Sequence, residues 1–164
     1  MSYLLDADIF IRAKNQHYGF DFCPAFWDWL IEQNRSGRVY SIEKVGRQLL
    51  EGEDELVDWA SERGGGFFLP PDATTLPAMN EVSAWAVGQN YDQSAVSTFF
   101  QDADYFLVSQ AYAGRHVVVT HEVPSNSIRK IKIPDACVGL GVRCVSPFEM
   151  LRNEGARFVL ERSC

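Results

Sequence analysis

The sequence predicts an α/β domain, a three-layer α/β/α sandwich around a central, mostly parallel sheet. Three observations lead there. Short apolar runs, among them YLL at residues 3–5 and VVV at residues 117–119, have the composition of strands buried on both faces. Longer stretches with apolar residues at helical spacing separate these runs. Strand and helix alternate along the chain, the pattern of parallel strands joined by crossovers.

The bulk numbers set bounds. A chain of 164 residues with 46% hydrophobic content is expected to form one domain, residues 1–164, with a real core. Residues 153–164 are expected as a surface or flexible tail. No run reaches the roughly 18 apolar residues of a membrane helix, and no basic stretch precedes a long apolar one at the N-terminus. A non-membrane, cytoplasmic protein is the expectation. Four cysteines (Cys23, Cys137, Cys144, Cys164) and three histidines (His17, His116, His121) lack the spacing of a zinc site, so the cysteines read as reduced thiols, mostly buried. The net charge of −7 argues against simple electrostatic attraction to nucleic acid. An acid cluster loaded with cations would change that sum.

Taken in order, Tyr3 to Leu5 is the first strand, and it stops at Asp6. Asp8 is a first-turn acid of the helix that follows. Pro24 opens a helix carrying Phe26, Trp27, Leu30 and Ile31, and Gly37 closes it. The tryptophans read as packing residues. Arg38 to Ser41 is a second strand, with helix to about Leu50 and an acidic helix over Glu51–Arg63. Gly64 to Gly66 is a turn without the lysine of a phosphate loop. Phe67 to Leu69 is briefly extended. Helices are expected over Thr74–Gln89, Tyr91–Phe100 and Asp102–Ala111. Arg115 to Thr120 is a strand, Pro134 to Val138 a helical turn, Val142 to Val145 the last strand, and Ser146-Pro147 starts a helix.

Four acids fall at strand ends or helix starts: Asp6, Glu43, Asp104 and Glu122. In an open α/β sheet that rim is where ligands bind. Each acid alone has a plain explanation as a helix-terminal or surface residue. Together they suggest a site, because converging carboxylates repel unless hard divalent cations, Mg²⁺ or Mn²⁺, neutralise them. Such ions polarise phosphodiesters. Ser41 and Thr120 are candidates to orient the carboxylates from behind, with Asp8 at the edge. Arg12, Lys44 and Arg47 flank the first two acids, and Arg129, Lys130 and Lys132 follow the last. They are candidates to touch a nucleic-acid backbone. His121 reads as a surface histidine rather than a general base.

The string LLDADIFI resembles the opening of PIN-domain proteins. SIEKVGRQL, DADYFLVSQA and VVVTHE resemble the second, third and fourth acidic elements of that family, in order, and RCVSPFEML fits its closing strand. The nearest likeness is to a VapC-like prokaryotic group. That resemblance implies Mg²⁺- or Mn²⁺-dependent endoribonuclease activity, an RNA substrate, and a role as the toxin of a type II toxin–antitoxin pair. It implies Asp6, Glu43, Asp104 and Glu122 as catalytic metal ligands, a protein antitoxin as partner, and leaves a homodimer open. Two positions depart from the family pattern: Asp8 stands where asparagine is usual, and Glu122 where aspartate is more common.

Two other readings compete. One is a catalytically inactive PIN-like interaction module, with Phe20, Phe22, Trp27 and Trp29 as an apolar surface for a partner segment. The other is a haloacid-dehalogenase-type phosphatase, in which Asp6 would be the nucleophile and Asp8 the acid–base. Phe10 stands where those enzymes usually place threonine or valine.

Overall fold

A computed structural model describes residues 1–162. Five strands form one parallel sheet in the order β3-β2-β1-β4-β5: β1 (Tyr3–Leu5), β2 (Val39–Ile42), β3 (Phe68–Leu69), β4 (Val117–Val119) and β5 (Cys144–Val145). Tyr3 pairs with both Val39 and Val117, so β1 is central. Every residue of β1 and β4 is buried, as expected for strands covered on both faces.

Among the described residues, nine α-helices connect and flank the strands: α1 (Ala7–Arg12), α2 (Pro24–Arg35), α3 (Glu43–Leu50), α4 (Glu55–Ser61), α5 (Thr75–Gly88), α6 (Gln93–Gln101), α7 (Ala103–Gly114), α8 (Ile133–Leu140) and α9 (Pro147–Asn153). From β1 the chain steps outward to β2 and then β3 by way of α1 to α4. It then returns past β1 to β4 and β5 through α5 to α8. Right-handed crossovers place these two groups on opposite faces. The packing agrees: α5, α7 and α8 pack together, while α3 packs against α4 and α1. The expected three-layer α/β/α architecture is the one observed.

Local chemistry explains several boundaries. Pro24 occupies the first turn of α2, and Gly37 beyond its end sits at φ 78, where a side chain would be strained. Ser146 and Glu149 form a reciprocal capping box at the start of α9. The helix expected over Glu51–Arg63 is shorter, because Asp54 accepts the Leu56 N–H and caps it late. A wider π-helical turn over Ala13–His17 continues α1.

The core is rich in aromatic residues. Trp27 and Trp59 are buried and meet edge-on, and Trp29 and Trp85 pack against the core's rim. Phe20 stacks on Trp27 with centroids 4.2 Å apart. Of the four residues considered as an apolar docking surface, Phe22 is the exposed one (66%), while Trp27 belongs to the core. The expected tail is also partly docked: Ala156 and Phe158 pack on the core, with Phe158 edge-on to Tyr18 and Phe26. Residues 163–164, including Cys164, lie outside the described residues. Among the described residues no helix is long and apolar enough to cross a membrane.

Candidate functional site at the sheet's switch point

Strand order reverses at β1. One crossover leaves it toward β2, and the return passes it to reach β4. In a doubly wound sheet the crevice at the carboxyl ends of two such strands is open to ligands, because the connecting helices diverge there. Asp6 ends β1 and Thr120 ends β4, so the crevice lies between them. The Asp6 N–H donates to the Val119 carbonyl at 3.0 Å, and the Thr120 N–H to the Val145 carbonyl at 3.1 Å. Both residues are thus fixed by one more step of the ladder beyond each strand.

Asp6 also occupies the N-cap position of α1, but its side chain does not cap that helix in the usual way. Its Oδ2 instead accepts the Thr120 hydroxyl at 3.0 Å. The same Thr120 oxygen accepts the Glu122 N–H at 3.1 Å. Thr120 therefore ties down one carboxylate and the backbone that carries another. Asp6 is 7% exposed. Burial pushes its pKa up to about 6, the Thr120 hydrogen bond pulls down, and the nearby Glu122 and Asp8 charges push up again.

Asp104, in the first turn of α7, is raised further, to about 7. Burial is the largest cause, followed by the charges of Asp6, Glu122 and Asp102, with Lys130 opposing. The charge of Asp6 acts on Asp104, so the two carboxyls titrate as a coupled pair. Glu122 completes the group. Its Oε2 is buried and has no hydrogen-bond partner among the described residues. A buried carboxylate oxygen left bare is costly and calls for a cation or donor.

Glu43 is placed at the start of α3, as expected, but its carboxylate pairs with Arg47 one turn on, at 2.7 Å. Asp8 likewise pairs with Arg12 at 2.8 Å. Both pairs are four residues apart on a helix, a spacing visible in the sequence that by itself foretold the contacts. Of the three candidate cations that flank the first two acids, Arg12 and Arg47 are therefore engaged with acids. The third, Lys44, lies over the Phe106 ring, 4.4 Å from its centroid. Ser41 corrects another expectation. It is fully buried and its hydroxyl donates to the Leu5 carbonyl at 2.6 Å, so it ties β2 to β1 rather than orienting a carboxylate.

His121 is also not the surface residue expected. It is half-buried, stacked on His17 with centroids 5.6 Å apart, and both rings meet Phe148. Burial lowers its pKa, Arg12 and His17 lower it too, and Asp8 opposes. The π-helical turn brings His17 to this position, and nothing in the sequence marked that turn. Lys130 is the other residue given too small a role, since its charge acts on Asp104 across a loop.

The donor set has the chemistry of a hard divalent-cation site: oxygen ligands only, crowded negative charge and one bare buried oxygen. Among the described residues no three acidic, histidine or cysteine side chains are gathered closely enough to hold one ion in this arrangement.

No curated protein and no solved structure matches the chain. A family model described as a domain of unknown function (DUF4411) matches residues 3–158, nearly the whole chain, and the protein belongs to that family.

Proposed function

We propose that this protein is a metal-dependent endoribonuclease of PIN type, hydrolysing RNA phosphodiesters as the toxin of a type II toxin–antitoxin pair. The observation that carries the proposal is the approach of Asp6, Asp104 and Glu122 at the switch point, with both aspartates raised by burial and by neighbouring acidic charge. Such a cluster is unfavourable for a protein without a cation and suits one that binds Mg²⁺ or Mn²⁺. Asp6, Asp104 and Glu122 would hold the ion, and Glu43 would join on leaving Arg47. The bound ion supplies Lewis acidity and charge compensation at a phosphodiester.

The chain's own residues do the rest. Thr120 fixes the rotamer of Asp6 and the backbone of Glu122. The buried floor of β1 and β4 keeps water from the inner side of the carboxylates. Arg129 and Lys130 line a cleft of about 200 Å³ with Thr98 and Asp102, beside the acids, where a phosphate backbone can lie.

The test is cleavage of single-stranded RNA with Mn²⁺ by the wild type and by Asp6→Asn, with Mn²⁺ binding followed by calorimetry. Wild-type cleavage should fall by about 10²-fold or more in the variant, with weaker Mn²⁺ binding. Equal cleavage by both proteins, or none with either metal, sinks the proposal. The toxin role is tested separately: induction should arrest growth, and Asp6→Asn should relieve the arrest.

A further inference from the structure

Three aromatic rings crowd the rim beside the candidate acids. His17 stacks on His121 with centroids 5.6 Å apart and an interplanar angle of 27°. Phe148 stands beside both, 5.5 Å from His17 and 5.9 Å from His121, edge-on to each. Two strand ends supply two of the rings. His121 directly follows Thr120, whose hydroxyl holds Asp6. The Thr120 N–H donates to the Val145 carbonyl of β5, and Phe148 follows in the first turn of α9. Neighbouring strands run about 4.8 Å apart, so His121 and Phe148 flank the crevice from its β4–β5 side. His17 arrives by another route. The Tyr18 N–H donates to the Ala13 carbonyl at 2.7 Å, which makes the turn after α1 a π turn. Such turns give up regular α geometry and are frequent at functional sites. This one ends on His17, an exposed residue. We infer that His17, propped by His121 and Phe148, is a stacking platform for a nucleobase of single-stranded RNA whose backbone crosses the candidate acids.

The rings are open on one side alone. Beneath them, a gap of about 10 Å³ bordered by Ile9 and Phe26 has hardly room for one water. A ligand therefore meets the outer face of the stack. Two imidazoles already lying nearly parallel present a flat surface there, and a third flat ring continues the stack. Every base has such a π face, so the contact holds a base without selecting among the four. Bases of a duplex are covered by their neighbours, and an unpaired strand leaves them free to splay onto a protein ring. Arg129 and Lys130 offer contacts to the backbone alone. The platform adds the base contact that those cations lack, and it fixes the strand beside Asp6. RNA as the occupant rests on the nuclease reading proposed above, whereas the stack itself is measured by binding without cleavage.

The experiment follows, by fluorescence anisotropy, the binding of a labelled single-stranded RNA oligomer to the full chain, with Ca²⁺ in place of Mn²⁺. His17→Ala should weaken binding about 5- to 100-fold. His17→Phe should restore it, since a ring without a charge still stacks. Oligomers with a single abasic ribose, moved along the strand, should show one position at which wild-type binding falls and His17→Ala adds no further loss. Because His17 is exposed, both variants should unfold thermally with the wild type. Unchanged binding by His17→Ala, losses that add at every abasic position, or failure of the wild type to bind the oligomer overturns the platform. Binding by His17→Phe as weak as that by His17→Ala makes His17 a charge contact to phosphate and overturns the stack. A wild type that shows the abasic position yet cleaves nothing with Mn²⁺ upholds the platform and sinks the nuclease reading.

Discussion

Asp6 and Asp104 carry the site's electrostatics, and they also couple it to folding. Their folded pKa values, about 6 and about 7, lie above the ordinary value of 3.8 that the unfolded chain retains. Between about pH 4 and pH 7 the folded protein therefore binds more protons than the unfolded one. Stability contributed by these groups is full below pH 4 and is lost as pH rises through the folded values. Urea unfolding should show a wild-type protein less stable at pH 8 than at pH 5. Asp104→Asn should remove part of that difference, on the order of 1–3 kcal/mol; an unchanged pH slope would contradict the assignment. Thr120→Val removes the hydrogen bond that lowers Asp6. A carboxyl-carbon NMR titration should then find Asp6 titrating higher than in the wild type. Asp6 was legible in the sequence as an acid closing an apolar run. The bare Glu122 oxygen was not, because whether a carboxylate finds a partner depends on three-dimensional neighbours.

Elements differ in how much of their placement is local. The start of α9 is written in Ser146-Pro147-Phe148-Glu149, where both bonds of the capping box form. Ser146→Ala should lower stability by about 1 kcal/mol, read from chemical denaturation. The approach of α3 to β3 is set instead by one small residue. A Cβ on Gly46 would sit 2.8 Å from Cγ of Phe68, closer than packed atoms tolerate. Gly46→Ala gains helix propensity, worth up to about 1 kcal/mol, but overpacking costs about 1–3 kcal/mol. Net destabilisation is expected in thermal unfolding, and a higher melting temperature would show that Phe68 moves aside freely. The π-helical turn after α1 illustrates the opposite case. Ala13–His17 has no sequence signature for a widened turn, yet that turn stacks His17 on His121.

At the scale of the molecule, topology makes the site. Steps outward from β1 on one side and back past it on the other open a crevice between β1 and β4, and Asp6, Asp104 and Glu122 come to it from three separated segments. If a divalent cation binds there, it stabilises the folded state by mass action, about 2.7 kcal/mol at a hundred times its Kd. Thermal melts at pH 8 should rise with Mn²⁺ for the wild type and stay flat for the Asp6→Asn, Asp104→Asn double variant. A rise of equal size in both would place the ion elsewhere. The alternation of buried strand runs and amphipathic helices by itself determined the α/β class, most element positions and the parallel sheet, because burial pattern and capping chemistry act over a few residues. Only the tertiary structure decided which acids share a space. It set Asp104 and Glu122 near enough to Asp6 for their charges to act on one another. That outcome depends on side-chain direction and strand order, which bring together residues as far apart as Asp6 and Glu122 and leave no periodic trace along the chain.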